Sequence, residues 1–148
     1  MGLFSSLRGR GNSPDLDVGT AVMIPMVSAM LADGSIDDDE VTQIRSICLM
    51  SPIYANNSRD KDTNIIMRAI KMVDEDGPEL MCQKAAGFLS AQLRETALAF
   101  AILLVLSDGH VSRKEEELID KLVAWLSVDP ARAEIIIQAA AILRNGEV

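Results

Sequence analysis

Apolar residues recur along this chain every three to four positions, and that period predicts helices from one end to the other. Ser13 and Pro14 open the first helix, expected to run to about Ala32, with Asp15 and Asp17 at the positive end of its dipole. Pro25 lies inside it without an amide to bond back to Ala21, which predicts a kink or a split there. A second helix from Asp37 to Met50 lines up Val41, Ile44, Ile47 and Cys48, and "SPIYANNSRDKD" follows as a connecting loop. The third, from about Asp62 to Val73, has Ile65, Ile66, Ala69, Ile70 and Val73 as its inward stripe. Gly77 and Pro78 restart the chain into a fourth that reaches Phe88. A fifth spans Ser90 to Leu106, a sixth Ser112 to Leu126, and a seventh runs from Asp129-Pro130 to the Asn145-Gly146 stop. No stretch alternates strictly enough to be a strand. The expected class is all-α, a single globular bundle of about seven helices.

Two turns between these helices are spelled alike. "ADGSIDDDE" runs from Ala32 to Glu40, and "SDGHVSRKE" from Ser107 to Glu115. A slide of seventy-five residues superposes Asp33 on Asp108, Gly34 on Gly109, Ile36 on Val111 and Glu40 on Glu115. Ile44 then meets Ile119, and Ile47 meets Leu122. This spacing predicts an internal pseudo-twofold duplication of a helix, Asp-Gly turn, helix unit, with repeat units at about 15–50 and 90–126. The helical domain is expected over 13–148, preceded by a flexible basic and apolar segment at 1–12.

Composition narrows the function. Apolar residues make up 49% of the 148 and aromatic ones only 3%, which favours a helical globule over a disordered chain. The net charge of -8 argues against a nucleic-acid partner, because phosphate binding needs a clustered basic surface. Cys48 and Cys82 sit in apolar pattern and are too few for a disulfide framework, so a cytoplasmic location is expected. "ALAFAILLVL", Ala97 to Leu106, is too short to span a bilayer and reads as a buried core helix. "MGLFSSLRGRG" combines Leu3, Phe4 and Leu7 with Arg8 and Arg10, and a peripheral membrane contact through residues 1–10 is the alternative to a frayed terminus.

Most of the repeated turn has a mechanical explanation. Gly34 and Gly109 suit the left-handed position that ends a helix. Asp37 and Ser112 suit the N-cap of the next one, with Glu40 and Glu115 three residues on to complete a capping box. Asp33 and Asp108 do not fit that account, since they sit where the helix dipole disfavours negative charge. Glu115 also shares a helix face with Ile119, Leu122 and Leu126, and a carboxylate directed at apolar surface needs a partner. Packing of the two copies face to face would gather these oxygens into a site for Ca²⁺, Mg²⁺ or Mn²⁺. An EF-hand is excluded: counted from Asp33, the sixth position is Asp38 where glycine is required and the twelfth is Ile44 where glutamate is required. Counted from Asp108, they are Arg113 and Ile119.

With its paired acidic turns, the apolar helices after each, the "MGLF" start and its length, the chain resembles the TerB family of tellurite-resistance proteins over nearly its whole extent. The resemblance implies an all-helical, internally duplicated cytoplasmic protein of bacterial stress response. It also implies divalent-metal binding through the duplicated motif, at positions Asp33, Glu40, Asp108 and Glu115, and partners in a membrane-linked stress-resistance complex. Acid is richer in the first copy, with Asp37, Asp38 and Asp39, than in the second, which reads Ser112, Arg113 and Lys114. His110 reads as a solvent-exposed turn residue that has the chemistry to add a nitrogen ligand. No phosphate-cradling loop, His-Glu-x-x-His or Gly-x-Ser-x-Gly occurs, and both cysteines read as packing, so no enzymatic activity is expected. Two functions follow: a non-enzymatic metal-binding module, or a helical scaffold whose acidic turns are structural and which docks a membrane-associated partner.

Overall fold

A helix that is apolar on every side must be enclosed by others, and residues 18–31 are such a helix. In the computed structural model, which describes residues 16–106 and 111–146, every side chain from Thr20 to Met30 of helix α1 (Val18–Leu31) is buried. Four further helices enclose the core around it: α3 (Arg59–Asp76), α4 (Pro78–Phe88), α5 (Ala91–Val105) and, through α5, α7 (Pro130–Leu143). Helix α2 (Asp38–Cys48) lies across α3 and α5, and α6 (Arg113–Trp125) across α4 and α5. The described residues contain these seven α-helices, one 3₁₀ turn and no strand, so the chain is an all-α bundle. The segment at 1–12, Ser13 and Pro14, Asp108 and His110 lie outside the described residues.

Pro25 does not split the first helix. Helix α1 runs through it without interruption, and Pro25 is itself buried. The missing hydrogen bond costs less here than exposing the surrounding apolar surface would, because a break would uncover side chains that are sealed on all sides. The "ALAFAILLVL" run falls in α5, where Ala97, Leu98 and everything from Ala101 to Leu106 are buried against the core. No helix among the described residues is long and apolar enough to cross a membrane.

The connection after α2 is more ordered than a loop. Ser51 caps a 3₁₀ turn at Pro52–Tyr54, and the buried Tyr54 hydroxyl donates to the Gly19 carbonyl of α1 at 2.6 Å. Helix α3 then starts at Arg59, three residues before the expected Asp62, because the Ser58 hydroxyl accepts from the Lys61 amide. Asp62 is buried one turn in, where its carboxylate accepts from the Asn57 side-chain amide at 2.9 Å. At its other end α3 passes Val73 and includes Asp74, Glu75 and Asp76, all exposed. Gly77, with φ of 88°, both ends α3 and opens α4 without a side-chain acceptor. The acids that oppose the dipole of α3 thus precede the uncapped amide end of α4, where negative charge is favoured.

Two ends carry stability that can be tested. Asp17 caps α1 by accepting from the Thr20 amide at 2.7 Å. Partial burial pushes its pKa up, but the Thr20 amide and side chain, with the Arg68 guanidinium 3.9 Å away, outweigh that and hold it below the ordinary value. Between α6 and α7, Ser127 has φ of 54°, Ser127 donates to the Ala124 carbonyl and Val128 to that of Val123, a left-handed helix stop made without glycine.

Asp17→Ala is therefore expected to cost about 1 kcal/mol at neutral pH, and Asp17→Asn, which still accepts from Thr20, less. A folded pKa below the unfolded one means that the charge-dependent part is complete above the ordinary carboxylate pKa and is lost as pH falls through the folded value. Thermal melts at neutral and strongly acid pH check this, with the gap between wild type and Asp17→Ala narrowing in acid. Ser127→Gly should raise stability by about 0.5–1 kcal/mol in denaturant titration, by relieving the left-handed backbone.

Candidate metal site

Both acidic turns lie at the ends of the central helices, the first between α1 and α2 and the second between α5 and α6. Since α1 and α5 pack on each other, the described residues of both turns line one cleft of about 560 Å³. Ala29, Met30, Leu104 and Val105 form part of its apolar floor, and Asp33, Glu40 and Glu115 stand on its walls. Three of the four carboxylates read from the sequence are therefore brought together around a common space. Asp108 lies outside the described residues.

Each glutamate also has a second task. Asp37 accepts from the Glu40 amide at 2.8 Å while Glu40 Oε1 accepts from the Asp37 amide at 3.1 Å. Ser112 accepts from the Glu115 amide at 3.1 Å while Glu115 Oε1 accepts from the Ser112 amide at 2.9 Å. Both capping boxes are complete, as the residue spacing predicts, and one oxygen of each carboxylate is committed to a helix start. Gly34 has φ of 118° and its amide donates to the Leu31 carbonyl, which ends α1.

Of these three carboxylates, Asp33 is the one with no capping role. Its side chain is 81% exposed, and Lys114 Nζ of the other turn stands 3.9 Å from Asp33 Oδ1. Lys114 and Lys121 line the cleft with the acids, so the carboxylates of Asp33, Glu40, Glu115 and Glu117 face two ammonium groups. Lys114 is the cleft residue that sequence reasoning undervalued. In the seventy-five-residue register it takes the place of Asp39, and that exchange of charge was the available signal.

The donors are hard oxygens, which suit Ca²⁺, Mg²⁺ or Mn²⁺ in kind. Among the described residues, however, no group of three or more His, Cys, Asp or Glu side chains lies close enough to hold an ion as arranged. Occupation by a divalent cation would require Lys114 to leave Asp33 and the glutamates to share or release their caps.

Neither cysteine offers a reactive alternative. Burial, helped by the Asp62 carboxylate, pushes the Cys48 thiol up to about 12. Burial raises Cys82 to about 11, outweighing the Ser28 hydroxyl 3.6 Å away, which lowers it by donating to the thiolate. Both stay protonated at neutral pH, as packing residues do.

The double role of the glutamates separates by substitution. Glu40→Gln and Glu115→Gln keep the capping box and are expected to leave stability within about 0.5 kcal/mol of wild type, whereas Glu40→Ala and Glu115→Ala each cost about 1 kcal/mol. Chemical denaturation in the presence of a chelator reads the structural part alone.

No curated protein and no solved structure matches this chain. The family model described as "Tellurite resistance protein TerB" does match, over residues 19–138. That span takes in both acidic turns, the cleft between them, five complete helices, all but the first residue of α1 and much of α7, and on this extent of agreement the chain belongs to the TerB family.

Proposed function

We propose that this chain is a non-enzymatic module of a tellurite or chemical stress-resistance system that takes up a divalent cation between its two acidic turns. Asp33, Glu40 and Glu115 supply oxygens from the described residues, and Asp108 is the fourth by its place in the motif. The observation that carries this reading is the convergence of carboxylates from turns seventy-five residues apart on one cleft of about 560 Å³. Such a gathering of like charge is unfavourable unless a cation offsets it, and Lys114 offsets part of it already. An arriving ion takes over that task and frees the lysine.

A second reading has its own support. The completed capping boxes account for Glu40 and Glu115 without any ion. On that reading the turns are structural, and the chain is a helical scaffold that docks a membrane-associated partner of the same system through its acidic face. Calorimetric titration with Ca²⁺ and with Mn²⁺ distinguishes the two. Binding heat that is lost in both Asp33→Ala and Asp108→Ala supports the cation module; these positions are chosen because neither closes a capping box. Absence of heat, together with a melting temperature unchanged by either ion, leaves the scaffold.

A further inference from the structure

Helix α7 is mostly apolar, with Arg132, Glu134 and Gln138 as its polar residues, yet the fold covers only one side of it. Ala133 and Ala140 are buried on α5, and Ile136 and Ile137 are partly buried beside them. On the opposite side Ile135 is 55% exposed, Ile142 75% and Leu143 73%. A helix of this composition is normally enclosed.

The exposed side has a regular relief. Ala131, Ile135, Ala139 and Leu143 are four residues apart and all exposed, so they form one ridge that alternates small, large, small, large. No member of the ridge is charged, and Glu134 flanks it, accepting from the Gln138 side-chain amide at 3.3 Å. Arg132 turns back to Glu95 in a two-pronged pair at 2.9 and 3.0 Å, and Arg144 turns back to donate to the Leu103 carbonyl at 3.0 Å. Beyond Leu143 the apolar surface continues into a groove of about 490 Å³ shared with Ile47, Met50 and Leu103, and Met50 is 62% exposed.

We propose that this face is a dimer interface and that its occupant is a second copy of the chain, with the two α7 helices antiparallel about a twofold axis. An axis between Ile135 and Ala139 sets each Ile135 against Ala139 of the second copy and each Leu143 against Ala131 of the second copy. Every large residue then meets a small one, which is the self-complementarity a twofold contact requires. Exposed apolar area of several hundred Å² lies at the upper limit of what a monomer leaves bare. With its polar rim it supplies the centre of an interface approaching the roughly 800 Å² per partner that stable dimers bury. The charge of -8 disfavours an anionic membrane as occupant, and an uncharged ridge is the surface by which two like-charged copies approach at least cost.

Sedimentation velocity of the full chain over a concentration series, with circular dichroism of each variant as a control on folding, tests this. Wild type is expected to dimerise with a micromolar dissociation constant. Ile135→Ala, which leaves two holes per dimer, and Ala139→Ile, which creates two clashes, should each weaken association about tenfold or more. The double exchange Ile135→Ala with Ala139→Ile restores large against small and should recover most of the loss, an outcome that no role inside the monomer produces. A chain that stays monomeric throughout overturns the proposal, whether residues 1–15 or a foreign protein covers the ridge. So does a dimer indifferent to both single substitutions, or a double variant no better than the singles.

Discussion

Burial of α1 on every side is the constraint from which the rest of the molecule follows. With Thr20 to Met30 all removed from water, α3, α4 and α5 have no freedom but to surround it, and their own apolar stripes are sized to that task. At roughly 25 cal/mol per Å² of apolar surface, the sealed methionines and valines of this one helix, with Ile24, outweigh a missing hydrogen bond at Pro25 several times over. The same constraint places the acidic turns. Ala29 and Met30 near the end of α1 and Leu104 and Val105 at the end of α5 line one cleft, and the starts of α2 and α6 share it through Glu40 and Glu115.

Carboxylates gathered on one cleft create an electrostatic problem that the capping boxes only partly resolve. Glu40 and Glu115 each turn one oxygen toward backbone amides, which supports the charge locally. Asp33 has no such donor and is met by Lys114 from the opposite turn. An exposed pair at 3.9 Å contributes little to stability. Its interest lies in being displaceable: the carboxylate farthest from structural duty is the one held by the weakest bond.

Much of this was legible in the residue pattern. Helical periodicity, the capping-box spacing and the Asp-Gly stops are local signals, and α2, α4, α5 and α6 begin and end within a residue or two of where those signals place them. The seventy-five-residue register picks out Asp33, Glu40 and Glu115, and these three line one cleft. Long-range compensation was not legible. The continuity of α1 through Pro25 depends on neighbours contributed by distant segments, and the early start of α3 rests on a polar first turn that has no apolar period to detect. Lys114 read as a weakened copy of the motif because its partner lies eighty-one positions earlier, beyond any window of local chemistry. The bare side of α7 was equally hidden, since a mostly apolar helix looks the same in sequence whether the fold encloses it or not.

The point at which α1 leaves the interior has a broader consequence. Burial is complete through Met30, partial at Leu31 and gone by Ala32 and Asp33, so the boundary between immovable and adjustable chain is crossed within two residues. Rigid support ends just before the segment that faces the cleft. Selection is thereby free to rewrite what the turns present, residue by residue, while the scaffold beneath them tolerates the experiment.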